Sequence, residues 1–83
     1  MTTEEIIRRL IARYGRADVM SFSMNSPLVE VGVDELAVAQ LVVYLEARFD
    51  IVIPSLEADR WTTGGGIVVS VQRLLAERHR QAS

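Results

Sequence analysis

The sequence has 83 residues, 49% of them hydrophobic and 24% charged, so it predicts one small globular domain over residues 1–83 with a single core. It contains no cysteine, which excludes disulfides, thiolate metal ligands and thiol catalysis. No apolar run approaches the ~18 residues needed to cross a bilayer, and no secretory signal is recognisable. We therefore expect a cytoplasmic protein without membrane association.

The net charge of −2 is unevenly distributed along the chain. Residues 30–59 contain seven acidic residues and a single basic one, Arg48, whereas the other arginines lie in the two flanking segments. The acidic middle favours a basic partner. Nucleic acid is not expected as a partner, because the arginines are divided between the two ends and have no aromatic residues among them.

The first segment has the pattern of an amphipathic helix. Thr2 and Glu5 form a capping box, and apolar residues then recur at helical spacing until Gly15, which predicts a helix over residues 3–14. Residues 15–33 contain scattered apolar residues without a period, so we predict an ordered loop with room for short turns. The opposite face of the first helix is basic and typical of a solvated surface: Arg8, Arg9 and Arg13.

A second helix is predicted over residues 34–49, with Asp34 as its N-cap and Glu35 in its first turn. The apolar residues expected to face the core are Val38, Leu41, Val42, Leu45 and Phe49. The opposite side carries no charge, and we call it the outer face: Leu36, Gln40, Val43 and Ala47, flanked by Tyr44. An uncharged exposed face is typical of a surface that binds a partner.

The segment after the second helix predicts a short third helix. Pro54 disfavours helical geometry at the residue before it, and Ser55 is expected to cap one or two turns that end by Trp61.

A last helix is predicted to begin at a cap formed by Thr62 or Thr63 and to end near Arg78. Residues 67–71 alone also fit a strand, but the apolar spacing continues to Leu75 and favours a helix. The sequence thus predicts an all-α fold, a small four-helix bundle with three long helices, one short helix and a long loop between the first two.

No catalytic or metal site is predicted. The only histidine, His79, lies in the polar C-terminal segment, and no serine has a base at a suggestive spacing. Asp34 and Glu35 are adjacent on a helix and cannot face each other as an acid and a base. Glu57 and Asp59 supply too few ligands for a metal ion.

The segment of residues 62–66, Thr-Thr-Gly-Gly-Gly, precedes a helix and has two readings. It could cradle a phosphate, although it lacks the lysine of a P-loop and no clear strand precedes it. The alternative, which we favour, is a tightly packed helix start.

The order of these elements and the residues at their junctions resemble an acyl carrier protein, or a stand-alone carrier domain of polyketide or nonribosomal peptide assembly. The resemblance rests on residues 31–36, which read Val-Gly-Val-Asp-Glu-Leu, on Leu41, Leu45, Glu46 and Phe49, and on residues 50–54 and 61–63. It implies a helical bundle in which a G-x-D-S-L motif opens the second helix. In the family, the serine of that motif receives 4'-phosphopantetheine from coenzyme A, and the acyl group is carried on this arm.

The serine position of the motif is occupied by Glu35, between Asp34 and Leu36. Attachment needs a hydroxyl that becomes a stable phosphodiester, whereas a carboxylate would give a labile acyl phosphate anhydride. The resemblance therefore predicts a carrier-like protein without a 4'-phosphopantetheine cofactor. Such a protein would act as a docking, scaffold or regulatory subunit of a fatty-acid, polyketide or nonribosomal-peptide system.

Two further departures from the family pattern are weaker. Trp61 stands where the family has an aliphatic residue that lines the acyl cavity, and an indole there could fill the cavity. Gln40 and Ala47 stand where the family has acidic residues that partner enzymes recognise. The partner is expected to be an acyl-processing or assembly-line enzyme, with self-association through the second helix as a further option. The expected partner-binding residues are Glu35, Leu36, Gln40, Val43, Tyr44 and Ala47.

Two alternatives stay open at this point. The chain could be a genuine acyl carrier protein whose attachment serine has been replaced, naturally or by engineering. It could also be a small enzyme or ligand-binding protein built on the same bundle, which would need a polar pocket with a perturbed carboxylate.

Overall fold

The computed structural model describes residues 1–18 and 20–82 and forms the expected bundle of four helices. The helices are α1 (Thr3–Gly15), α2 (Glu35–Phe49), α3 (Ser55–Asp59) and α4 (Gly64–Ala82). A 3₁₀ turn over Leu28–Val31 lies in the long loop before α2. Within the described residues there is no strand, and no helix is long and apolar enough to cross a membrane.

The predicted N-caps of the three long helices are confirmed. Thr2, Asp34 and Thr63 each accept a hydrogen bond through a side-chain oxygen from the backbone N–H three residues later, at 3.1, 2.8 and 3.1 Å. Each bond satisfies one of the N–H groups that a helix start leaves without an intrahelical partner. Of the two threonines considered for the start of α4, Thr63 is the one that caps it.

The predicted cap of α3 is wrong, and α4 is longer than predicted. Ser55 is the first residue of α3 and provides no side-chain cap, because Pro54 occupies the cap position, and α3 already ends at Asp59. In the other direction, α4 continues past Arg78 to Ala82. Proline suits the entry to a helix because its fixed φ angle matches the geometry there and its missing N–H is not needed.

The core lies between α1, α2 and α4. Its largest fully shielded side chains come in pairs from these helices: Ile7 and Ile11, Leu41 and Leu45, and Ile67 and Val71. Burial of each contributes about 1.5 to 3 kcal/mol before the entropy of ordering is subtracted. None of the residues of α3 is buried.

Two glycines allow the C-terminal end of α1 to approach the turn that precedes α2. Gly32 has a φ angle of +87°, and a Cβ atom on it would collide with the carbonyl oxygen of Gly15. A Cβ atom on Gly15 would lie 2.7 Å from the carbonyl oxygen of Val31. The left-handed residue that ends α1 is Arg16, with a φ angle of 63°, so Gly15 serves close packing. This contact places the C-terminal end of α1 against the turn that precedes α2.

The described part of the loop between α1 and α2 is bonded to the start of α4. The carbonyl oxygen of Met24 accepts the N–H of Gly65 at 2.8 Å, and the N–H of Leu28 donates to the carbonyl oxygen of Thr62 at 2.8 Å. A Cβ atom on Gly64 would lie within 3.0 Å of Met24 side-chain atoms. The glycine segment is thus a tightly packed helix start, and the N–H of Gly65 is used by the chain itself.

Candidate functional site

Helix α2 has three distinct faces. Its buried residues are Ala37, Leu41 and Leu45. Of the predicted core residues, Leu41 and Leu45 are buried, and Val38, Val42 and Phe49 are half-buried and pack against the core. Val38 and Val42 also form a wall of an open groove of about 1080 Å³ between α2 and α3, which we call the α2–α3 groove.

One face of each helix lines the α2–α3 groove. The lining residues are spaced i, i+3, i+4 and i+7 along α2 and i, i+3 and i+4 along α3, which is the spacing of residues on one helix face. The residues from α2 are Glu35, Val38, Ala39 and Val42, and those from α3 are Ser55, Ala58 and Asp59. The remaining wall consists of Pro27, Leu28, Val29, Val33, Asp34, Ile53, Trp61 and Thr62.

Glu35 is the first residue of α2, lies at the edge of this groove and is exposed. Its position follows from the cap, because Asp34 bonds to the N–H of Ala37 and so sets the first helical residue at Glu35. The positive end of the helix dipole stabilises a carboxylate in this first turn by about 0.3 to 1 kcal/mol. The carboxylate of Glu35 is therefore accessible from solvent at the mouth of an apolar groove.

Trp61 lines the groove without closing it. Its side chain is buried, with 8% exposure, and the groove stays open beside it. The indole N–H donates to Oγ of Ser70 at 2.9 Å, and the Ser70 hydroxyl donates to a carboxylate oxygen of Glu57 at 3.0 Å. Glu57 also forms an ion pair with Arg73. These contacts hold the indole in place and attach α3 to α4.

The outer face predicted from the sequence is exposed. Leu36 and Val43 are 69% and 68% exposed, Tyr44 is 39% exposed, and Gln40 and Ala47 are also exposed. A shallow depression of about 360 Å³ lies along this face. It is lined by Tyr14, Ala39, Gln40, Val43 and Tyr44. Because Ala39 lines both this depression and the α2–α3 groove, the two surfaces share an edge.

Several residues of the site were not identified from the sequence. Asp59 was considered only as a metal ligand, yet it lies on the wall of the α2–α3 groove. The regular spacing of Ser55, Ala58 and Asp59 along a predicted helix was the available signal for a shared face. Nothing in the sequence pattern paired Trp61 with Ser70.

Catalytic groups are not brought together in the part of the chain described. His79 is exposed on the last turns of α4, and no group of three acidic or histidine side chains within residues 1–18 and 20–82 could hold a metal ion. The α2–α3 groove is predominantly apolar, with carboxylates at Asp34, Glu35 and Asp59. Such an arrangement can bind an apolar group and a positive charge.

Comparison with known proteins gives a consistent family assignment. A family model described as "Phosphopantetheine attachment site" matches residues 5–68. The chain is 28% identical over 75 residues to acyl carrier proteins of Campylobacter curvus (strain 525.92) and Campylobacter concisus (strain 13826), covering 89% of this chain and 97% of each relative. Its fold is similar to the solution structure of the acetyl actinorhodin acyl carrier protein from Streptomyces coelicolor, with a TM-score of 0.76, 24% identity and 94% of both chains covered.

Proposed function

The chain belongs to the phosphopantetheine attachment site family, and we propose that within this family it is an acyl carrier protein-like subunit that carries no 4'-phosphopantetheine. It acts in the cytoplasm by docking to an acyl-processing or assembly-line enzyme, as a scaffold or regulatory partner. The observation that carries the proposal is Glu35, an exposed carboxylate at the start of α2. By the resemblance of the motif, this is the position of the family's attachment serine.

The chemistry of attachment supports this proposal. Transfer of phosphopantetheine from coenzyme A needs a nucleophilic hydroxyl oxygen that becomes one ester oxygen of a stable phosphodiester. A carboxylate oxygen in its place would form a mixed anhydride, which water hydrolyses. The side chain of Glu35 therefore does not fit the cofactor of its family.

The outer face supports docking as the remaining role. Leu36 and Val43 are more than two-thirds exposed, and the face they share carries no charged side chain. If a partner covered about 300 Å² of apolar surface there, the gross gain would be about 7.5 kcal/mol at about 25 cal/mol per Å². Association costs of about 4 kcal/mol or more offset much of this gain, so additional contacts are needed for a stable complex.

Glu35 supplies such a contact. It follows the N-cap directly and precedes Leu36, so a partner bound to the outer face lies beside an exposed carboxylate. An arginine or lysine of the enzyme can pair with it, as it would with the phosphate of a modified carrier. In this role the negative charge at the motif is kept while the covalent chemistry is lost.

The first experiment tests cofactor attachment. Wild-type protein and Glu35→Ser are incubated with coenzyme A and a phosphopantetheinyl transferase of broad specificity, and both are weighed intact. We expect wild-type protein to keep its mass and the serine variant to gain one phosphopantetheine group. If wild-type protein gained that group at any residue, including the groove hydroxyls of Ser55 or Thr62, the proposal would be overturned.

The second experiment tests docking. Co-purification with tagged wild-type protein identifies the partner, and binding of Glu35→Gln, Val43→Arg and the exposed control Glu30→Gln is then compared. We expect Val43→Arg to abolish binding, Glu35→Gln to weaken it about two- to fivefold, and Glu30→Gln to leave it unchanged. Equal binding by all variants would contradict a docking role for α2.

A further inference from the structure

The outer face of α2 belongs to a larger exposed surface with an uncharged middle and oppositely charged ends. Its exposed residues lie in two adjacent rows of residues four apart, one of Glu35, Ala39, Val43 and Ala47 and the other of Leu36, Gln40, Tyr44 and Arg48. Glu35 is acidic, Arg48 is basic, and the residues between them on this surface are uncharged. Within the described part of the chain, neither Glu35 nor Arg48 forms an ion pair.

This pattern matches itself when α2 is turned end to end. A two-fold axis at the midpoint between residues 41 and 42 would set α2 antiparallel to α2 of a second copy and bring together residues equally far from that midpoint. The resulting pairs are Glu35 with Arg48, Leu36 with Ala47, Ala39 with Tyr44, and Gln40 with Val43. The two large end-row side chains, Leu36 and Tyr44, therefore each meet an alanine, and each carboxylate meets a guanidinium.

We propose that a second copy of this chain binds to the outer face through this antiparallel, two-fold contact between the α2 helices. The contact needs no enzyme and thus goes beyond the docking role. Because it covers the same residues that an enzyme would cover, the dimer and the enzyme complex exclude each other. Self-association then regulates how much of the chain is available for docking.

The shape of the surface near the axis supports the contact. Val43 is 68% exposed and lies beside the shallow depression of about 360 Å³ on the outer face. The residues that α2 contributes to the lining of this depression pair with one another across the axis: Ala39 with Tyr44 and Gln40 with Val43. Val43 of each copy therefore lies over the depression of the other, so that a projecting side chain faces a recess on both sides.

The size of the contact sets its strength. At a rise of 1.5 Å per residue, the surface from Glu35 to Arg48 is about 20 Å long, and one helix face of this length is smaller than the ~800 Å² per partner of a standard interface. Each exposed ion pair raises affinity by about two- to fivefold, and antiparallel helix dipoles favour the arrangement. We therefore expect a reversible dimer with a Kd of about 10 to 500 µM.

Sedimentation equilibrium of the purified chain measures this association directly. At low salt and concentrations from about 10 µM to about 1 mM, we expect the average mass to rise from 9.3 kDa towards twice that value. Val43→Arg places two arginines beside the axis and should keep the mass at 9.3 kDa throughout. A wild-type mass of 9.3 kDa at every concentration would overturn the proposal.

Charge exchange tests the antiparallel register. Glu35→Arg or Arg48→Glu makes both end pairs like-charged, so each variant alone should dimerise about fivefold or more weakly than wild-type protein. In an equimolar mixture of the two variants, positions 35 and 48 again carry opposite charges across the contact, and association should return to the wild-type level. Glu30→Arg makes the same change of charge at an exposed residue outside α2 and should dimerise as wild-type protein does.

Two further results would contradict the proposal. A mixture that associates no better than its separate components would exclude the antiparallel register. Equal weakening by Glu30→Arg and Glu35→Arg would show that net charge, and not the contact, controls association. Far-ultraviolet circular dichroism verifies the helix content of each variant, and recovery in the mixture excludes unfolding as the cause of weakening. A monomeric result leaves enzyme docking and the cofactor experiment unaffected, because both are measured separately.

Discussion

The hydrogen bond between Trp61 and Ser70 gives the sharpest prediction about stability. Ser70 is 6% exposed, and its hydroxyl accepts from the indole N–H and donates to Glu57. The substitution Ser70→Ala leaves the indole N–H, on a side chain that is 8% exposed, without its partner. An unsatisfied buried donor costs about 1 to 3 kcal/mol. For a domain of this size we expect Tm to fall by about 4 °C or more.

A double-mutant cycle separates this bond from other effects of the substitution. Trp61→Phe removes the indole N–H. In that background Ser70→Ala leaves no donor unsatisfied, so it should lower the free energy of unfolding by less than half as much as it does in wild-type protein. Unfolding by urea is followed by far-ultraviolet circular dichroism, since two of the variants lack the tryptophan. The exposed Ser55→Ala serves as the control and should stay within about 0.5 kcal/mol of wild type. The reasoning fails if Ser70→Ala lowers the free energy of unfolding no more than Ser55→Ala does. It also fails if Ser70→Ala lowers that free energy equally in wild-type protein and in Trp61→Phe.

Three other predictions concern α2, the turn before it and the start of α4. Asp34→Ala removes the N-cap hydrogen bond and should lower the free energy of unfolding by about 1 kcal/mol, measured by thermal unfolding. An unchanged Tm would argue against a stabilising cap. Gly32→Ala should lower the free energy of unfolding by more than about 1 kcal/mol, because Gly32 has a positive φ angle and contacts Gly15. Gly66→Ala should raise it by about 0.5 to 1 kcal/mol, because a Cβ atom on Gly66 would meet only Thr63 Oγ1, at 3.6 Å. If both glycine variants changed stability alike, the close-approach argument would be wrong. Val43→Arg should keep wild-type stability within about 0.5 kcal/mol in the same scan, since the residue is 68% exposed, and a larger loss would show that the outer face is covered by the chain itself.

Features that depend on neighbours in the sequence were predictable. The caps at Thr2 and Asp34 and the helix class of α1, α2 and α4 follow from residues within one or two turns of each other. The ambiguous segment 67–71 was resolved by the same periodicity and is helical in the structure. Local patterns are informative there because helix formation itself involves hydrogen bonds over four residues.

Features that depend on contacts between elements were not predictable. Val38 and Val42 have the spacing of core residues and pack against the core, but α3 is only five residues long and leaves part of their surface open to the groove. The predicted length of α3, one or two turns, agrees with its five residues. Likewise, the bond from Trp61 to Ser70 joins a loop to the next helix, and no periodic pattern encodes it.

The sequence pattern and the structure give the same position for Glu35. Periodicity and capping place it in the first turn of α2, and the structure does so as well. Only the resemblance to carrier proteins gives that position a chemical meaning, since an acidic residue there is otherwise explained by the helix dipole. Its effect on cofactor attachment and partner binding stays a prediction until the transferase and binding experiments are done.

The attachment of α3 has a consequence for the shape of the α2–α3 groove. This helix contains no buried residue and is held to α4 through the contacts of Glu57 with Ser70 and Arg73. Segments with few buried apolar contacts open at the lowest free energy, so we expect the amides of α3 to exchange with solvent hydrogen before those in the middle of α2. We therefore expect the width of the α2–α3 groove to vary through displacement of this one short helix, while the three long helices keep the fold.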